Sequence, residues 1–162
     1  VIHHLSLAAQ DPKRVAGVFA ELFGGPCIPF PPNPGAFMAI ANDAHGTAIE
    51  VYPADTQLTP AGPGGTGFVR SGQAAGLGAV HFALSVERSL AQVEAIAARE
   101  GWDCFVCSRG GDFDVVEFWV ENRFMVEILP PDFAATYLAF TGRFSAGNDA
   151  ALMAGHRSKV LA

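Results

Sequence analysis

Positive charge is scarce in this sequence. Ten Lys and Arg stand against 16 Asp and Glu, for a formal net charge of −6, and no basic cluster occurs. Nucleic acids are held by grouped Lys and Arg that displace counterions from phosphates, so no nucleic-acid partner is expected. Long apolar runs are missing as well. None approaches the roughly 20 residues that cross a bilayer, and no membrane partner is expected. Cysteine is nearly absent: Cys27, Cys104 and Cys107 are too few, and odd in number, for a disulfide framework. With no signal peptide in view, a reducing cytoplasm is the expected compartment. Charged residues make up only 16% of the chain and half of it is apolar. Such a composition folds around a real core, and 162 residues suit one domain or two small halves.

What is present is a repeat. A shift of 77 residues overlays the first third of the chain on the second without a gap. His4 falls on His81, Leu7 on Leu84, Gly24 on Gly101, Cys27 on Cys104, Glu50 on Glu127 and Pro53 on Pro130. Identity is low overall. The informative point is that His and Glu stand 46 residues apart in both copies.

Each copy reads as strand, helix and three strands. Strands are expected at 2–9, 26–30, 36–42 and 47–53, and again at 79–86, 103–108, 113–120 and 124–130. Val15, Val18, Phe19 and Leu22 recur at helical spacing after Asp11-Pro12, a cap followed by a first-turn proline. Leu90, Val93, Ile96 and Ala97 do the same in the second copy, and Gly24 and Gly101 end the two helices. The first module is thus 1–53 and the second 79–130. Residues 54–78, rich in Gly and Pro, read as a linker or long surface loop. Residues 131–162 read as a helical tail, with one short helix over Phe133–Phe140 and another from Asn148 or Asp149 to about Val160. The fold class is α+β: two βαβββ modules pairing into a cupped, barrel-like mixed sheet.

Side chains alternate across a strand. His4, Ser6 and Ala8 share one face, opposite Leu5 and Leu7. His81, Ala83 and Ser85 oppose Phe82, Leu84 and Val86. Glu50 lies with Ala48 and Tyr52, and Glu127 with Met125 and Leu129. In all four strands the ionisable residue sits opposite an apolar face. If the halves pair about a pseudo-twofold axis, two His and two Glu converge. A buried carboxylate is costly unless paired or bound to a cation, and two carboxylates close together repel. A divalent ion removes both problems and leaves positions open for water or substrate if it is octahedral. His4, Glu50, His81 and Glu127 are therefore the expected metal ligands.

At these residues the sequence resembles the vicinal oxygen chelate superfamily of glyoxalases, bleomycin-resistance proteins and extradiol dioxygenases. IHHLSLAAQD looks like the opening strand of glyoxalase I and its relatives. AVHFALSV resembles the strand bearing the third ligand, and AIEVYP and FMVEILP the two Glu-bearing strands. The match covers residues 2 to about 130. It implies a metal-dependent lyase or isomerase of the lactoylglutathione lyase type, acting on a small substrate that chelates the ion through neighbouring oxygens. The ion would be Ni²⁺, Zn²⁺, Co²⁺ or Mn²⁺ ahead of Fe²⁺. Glu127, then Glu50, would be the general base. The bacterial enzymes of this type carry Arg four residues after the first His and Asn four after the first Glu. Here those positions are Ala8 and Ala54, so the glutathione site does not carry over. Two alternatives stand beside this reading: an iron-dependent extradiol-type dioxygenase, and a non-catalytic small-molecule binding or resistance protein. A homodimer is expected, and the apolar Leu152, Met153, Val160 and Leu161 of the tail suit either closing a cleft or meeting a second subunit.

Other candidates are set aside. His3 must point away from His4, His45 lies in a turn, and His156 has no assigned role. Cys104 and Cys107 spell CxxC, but residues three apart in a strand face opposite ways and no second pair exists. The Gly-rich 61–66 lacks the Lys-Ser/Thr of a phosphate loop. Tyr52, Trp119 and Met125 are candidates to line a pocket, with core packing an equal alternative.

Overall fold

The computed structural model describes residues 2–60, 66–74 and 77–145. The chain forms two compact units, Val1–Ala79 and Val80–Ala162. The fold is α+β, and both units repeat one order of elements.

In the first unit, β1 (His4–Ala9) leads into α1 (Pro12–Phe23), followed by β2 (Cys27–Pro29), β3 (Phe37–Ile40) and β4 (Ala48–Pro53). The strands form one open sheet in the order β1-β4-β3-β2, with β1 parallel to β4. Asp11 caps α1 by accepting from the Arg14 amide, Pro12 stands in the first turn, and Gly24 closes the helix in the left-handed conformation at φ 72°. The apolar stripe Val15, Val18, Phe19 and Leu22 is buried, and α1 packs on β3 and β4. It thereby covers the sheet face that carries Leu7, Ile49 and Val51 and leaves the His4–Glu50 face to other elements.

The 54–78 segment, read from sequence as a linker or loop, is not featureless. Within it, β5 (Thr56–Pro60) and β6 (Thr66–Arg70) pair antiparallel as a hairpin. Its base is fastened at Asp55, whose carbonyl accepts from the Ser71 amide at 2.8 Å and whose carboxylate pairs with Arg70 at 2.5 Å.

The second unit runs β7 (Phe82–Ser85), α2 (Leu90–Glu100), β8 (Cys104–Arg109), β9 (Phe113–Val120), β10 (Phe124–Leu129) and α3 (Pro131–Ser145). Its sheet order, β7-β10-β9-β8, reproduces the first. A reciprocal capping box between Ser89 and Gln92 starts α2, and Gly101 ends it. The turn between β9 and β10 is tight because Glu121 and Asn122 both take positive φ, 51° and 55°. Asn tolerates that region through its short polar side chain. Asn122 uses that side chain twice, accepting from the Asp103 amide at 2.7 Å and donating to the Gly101 carbonyl at 3.2 Å. The hairpin tip is so tied to the end of α2.

Each four-stranded sheet is open, with β1 and β2, or β7 and β8, at its edges, and neither closes into a barrel. The helix expected at Phe133–Phe140 is the longer α3, and the second tail helix lies outside the described residues. Among the described residues no helix is long and apolar enough to cross a membrane.

Candidate metal centre

The strands deliver the four singled-out residues to matching places. In the first unit Ser6 stands beside Glu50 in the parallel pair, with His4 two residues earlier on the same face. In the second, Ala83 stands beside Glu127, again two residues after the histidine. β7, Phe82–Ser85, is shorter than the expected strand, so His81 immediately precedes it. Both histidines are exposed, whereas Glu50 is 9% exposed.

The two carboxylates are stabilised by different means. Glu50 Oε2 accepts from Ser6 Oγ at 3.0 Å and, in a short hydrogen bond, from the Tyr52 hydroxyl. Ser6 Oγ also lies 3.2 Å from the Tyr52 oxygen. Serine has one proton, so it serves either Glu50 or Tyr52 at a time. Among the described residues no cationic side chain pairs with Glu50. In the second copy the shift of 77 places Ala83 where Ser6 stands and Leu129 where Tyr52 stands, so both hydroxyls are gone. There Glu127 Oε1 accepts instead from Arg109, at 2.6 Å from Nη2 and 3.1 Å from Nε. Arg109 Nη2 also donates to Glu117 at 2.8 Å. Glu117 lies directly across from Glu127 in the β9–β10 ladder. Sequence reasoning missed Arg109 and Glu117. The signals were there: alternation from Phe105 and Cys107 puts Arg109 on the Glu127 face, and the loss of both hydroxyls leaves Glu127 in need of a donor.

Each unit also folds a later segment back over its His/Glu-bearing face. In the first, Phe68 of the hairpin meets Tyr52 edge-on at 5.6 Å and Phe30 at 6.4 Å, while Phe30 and Tyr52 lie 5.8 Å apart. In the second, Phe113 contacts Tyr137 and Phe140 of α3 at 5.2 and 5.0 Å. This enclosure dries the Tyr52 hydroxyl. Burial first, and then its bond to Glu50, push the phenol from an ordinary 10.0 up to about 12. It therefore stays a protonated donor at any ordinary pH. The sign follows: whatever stability the neutral phenol adds is complete below pH 10 and fades as pH rises from there through about 12. In an ultraviolet titration, the phenol missing from a Tyr52→Phe variant is expected to be the one with a midpoint near 12. An ordinary midpoint for that phenol would contradict the enclosed hydrogen bond.

Next to this cluster, at the ends of β1 and β4, lies a cavity of about 270 Å³ lined by Ala8, Ala54, Thr56, Gln57, Ser71 and Gln73 among others. Among the described residues its lining is uncharged. Of the other histidines, His156 lies outside the described residues. His3 Nδ1 contacts the His45 carbonyl oxygen at 2.5 Å, tying β1 to the turn before β4. Burial pushes the Cys104 thiol up to about 11 and raises Cys107 as well, which leaves both as packing groups and not as ready thiolates.

The donor chemistry suits a divalent ion unequally. Glu50 is a buried carboxylate with hydroxyl partners and no cation, an arrangement that an ion would complete. Glu127 already has a cation in Arg109. Within either unit, among the described residues, no three His, Cys, Asp or Glu side chains gather as one ion would require. Each unit has one His and one Glu on the corresponding face of its sheet.

No protein-family model matches the sequence, and no curated protein does. Solved structures do match in fold. A protein from Agrobacterium tumefaciens, solved by solution NMR, is 13% identical with a TM-score of 0.51, over 80% of this chain and 96% of its own. The trypanothione-dependent glyoxalase I of Leishmania major is 14% identical with a TM-score of 0.50, over 91% of this chain and 97% of its own. The duplicated strand–helix–three-strand unit, with its parallel first and last strands, is thus the fold of glyoxalase-type proteins.

Proposed function

We propose that this chain is a metal-dependent enzyme of the glyoxalase type, a lyase or isomerase acting on a small substrate with neighbouring oxygens. His4 and Glu50 would hold the ion together with His81 and Glu127, the second half-set coming from this chain or from a partner copy. When bound, the ion would polarise the substrate oxygens and offset the negative charge that develops as a proton leaves carbon.

The observation that carries the reading is Glu50: a buried carboxylate on the same face as His4, hydrogen-bonded only to neutral hydroxyls. Family resemblance ranks Glu127 ahead of Glu50 as base, but the contacts favour the reverse. Without metal, Glu127 gives one oxygen to two guanidinium N–H bonds, while Glu50 accepts from neutral hydroxyls. Among the described residues Glu50 hydrogen-bonds to the hydroxyls of Ser6 and Tyr52. In this role Glu50 takes the proton at a carboxylate oxygen and returns it to the neighbouring carbon. Tyr52 and Ser6 orient it and do not touch substrate.

The uncharged cavity at Ala8 and Ala54 supports a substrate whose distal part is neutral and hydrogen-bonding. Among the described residues its lining offers no salt-bridge partner for the carboxylates of a glutathione adduct. The test is metal analysis of protein purified without added metal, then rescue of the stripped protein with Ni²⁺, Zn²⁺, Co²⁺, Mn²⁺ and Fe²⁺. The assay is exchange of a substrate carbon-bound hydrogen with solvent deuterium, using α-hydroxycarbonyl and 2-oxoaldehyde adducts. Exchange that depends on one of these ions is expected. Fe²⁺-dependent oxygen uptake with a catechol would replace this reading by ring cleavage. Tight ligand binding with no metal dependence would replace it by a binding protein.

A further inference from the structure

We propose that Arg109 is an internal competitor for the metal, which must leave Glu127 for Glu117 before the second half-site can take an ion. The inference rests on the metal reading above and concerns what controls occupancy.

Arg109 ends β8 and is partly buried, with 28% of its side chain exposed; Glu117 and Glu127 keep 21% and 14%. Two carboxylates directly opposite each other on adjacent strands repel. The guanidinium between them relieves this, but it is one positive charge for two negative ones. Its contacts are uneven. Glu127 receives bonds from both Nε and Nη2, Glu117 from Nη2 alone. The same nitrogen already touches both acids, so a short rotation about the side chain transfers the guanidinium to Glu117 without leaving it unpaired. Glu127 would then be a bare carboxylate suited to a ligand's role.

The first unit shows what the device adds. Strand pairing puts Met38 opposite Glu50, in the place that Glu117 holds opposite Glu127. That half-site has neither the guanidinium nor a second acid to receive one. Its carboxylate bears no guanidinium among the described residues, while Glu127 is held by one. Guanidinium is permanently charged, so the competition persists at every working pH. It lowers the protein's affinity for an ion and makes occupancy reversible.

The test is calorimetric titration of the full-length, metal-stripped protein with Zn²⁺. Arg109→Met is expected to bind about tenfold more tightly or better, because a nearby positive charge has been removed. Glu117→Gln is expected to bind about tenfold more weakly, because the displaced guanidinium then moves to a neutral amide oxygen instead of a carboxylate. In the Arg109→Met background the Glu117→Gln change should lose most of its effect, the signature of two residues acting as one device. Arg109→Lys keeps the charge and should stay within about threefold of the parent. Without metal, Arg109→Met should melt lower than the parent, with Zn²⁺ restoring much of the difference. Parent and Arg109→Met binding equally, or independent effects of the two substitutions, would overturn the competition while leaving the metal reading intact. No binding by any variant, with fold retained, would remove both. Binding by Arg109→Met but not by the parent would support the competition in its strongest form.

Discussion

Replacing Glu50 by Gln is expected to lower turnover by about 10²- to 10⁴-fold at saturating metal, the range for loss of a general base, while leaving the fold intact or slightly firmer. The amide oxygen can still accept from Ser6 and Tyr52, so neither hydroxyl is orphaned. The substitution does remove a buried negative charge that no cation among the described residues compensates, and neutralising such a charge relieves a desolvation cost. Two readouts should thus move in opposite directions: activity down, melting temperature of the metal-free protein level or up. Glu127→Gln should behave otherwise. It strips Arg109 of its closer carboxylate, so metal-free stability should fall, and turnover at saturating metal should fall less than for Glu50→Gln. Full turnover in Glu50→Gln at saturating metal would take the base assignment away from Glu50. An equal loss in both variants would make the acids ligands alone, and the proton would need another acceptor.

Much of this arrangement could be read from the amino acids, for identifiable reasons. Both helices carry their own punctuation, Asp11-Pro12 and Gly24 for α1, and Gly101 for α2. The strand alternation around His4, Glu50 and Glu127 assigned faces that the registers reproduce. What was lost came from the gap-free overlay. It pairs Met38 with Val115, whereas the ladders set Met38 and Glu117 in equivalent places opposite Glu50 and Glu127. The loops explain the slip. The first unit spends 30–36 and 41–47 on its two hairpin connections, and the second only 110–112 and 121–123. By way of compensation β8 and β9 are longer than β2 and β3. A slip of two residues keeps every side chain on its face, so the pattern looked consistent while concealing that Glu117 joins the cluster. The β5–β6 hairpin was hidden differently. Its composition is that of a loop, and it is held by Phe68 on Tyr52 and by Ser71 on Asp55, contacts that no local periodicity announces. Nor does sequence say how a carboxylate is partnered: Glu50 and Glu127 are identical in spacing and opposite in electrostatics.

The same slip governs the core and leads to the largest stability effect expected for a single truncation. The ladders make Ala39 of β3 and Phe118 of β9 counterparts, because each stands one residue beyond the residue facing the acid, on the helix side of its sheet. Both are wholly buried. The ends of the helices correspond too, with Gly25 donating to the Ala20 carbonyl at 2.9 Å and Trp102 to Ala97 at 3.0 Å. Small residues at both places in the first unit face large ones in the second. A Cβ on Gly25 would come within 1.8 Å of the Ile40 carbonyl oxygen, so that close approach admits no side chain. The first unit makes up the volume from its helix, where Phe19 is fully buried and the repeat puts Ile96 in the second. In the second unit Trp102 meets Phe118 edge-on at 5.6 Å, and the strand supplies the bulk. Phe118→Ala therefore removes the largest fully buried side chain from a sheet whose neighbours Val116, Val120, Val126 and Ile128 are all essentially inaccessible. None of these β-branched side chains has the freedom to fill the void. The expected loss is about 3–5 kcal/mol in denaturant unfolding, close to the whole stability of a small domain. Trp102 fluorescence should report it, since the indole loses the ring it rests on. A cost under about 1 kcal/mol with unchanged Trp102 emission would mean that the second unit's core does not depend on this pair. The division of bulk between helix and strand would then not be what holds each half together.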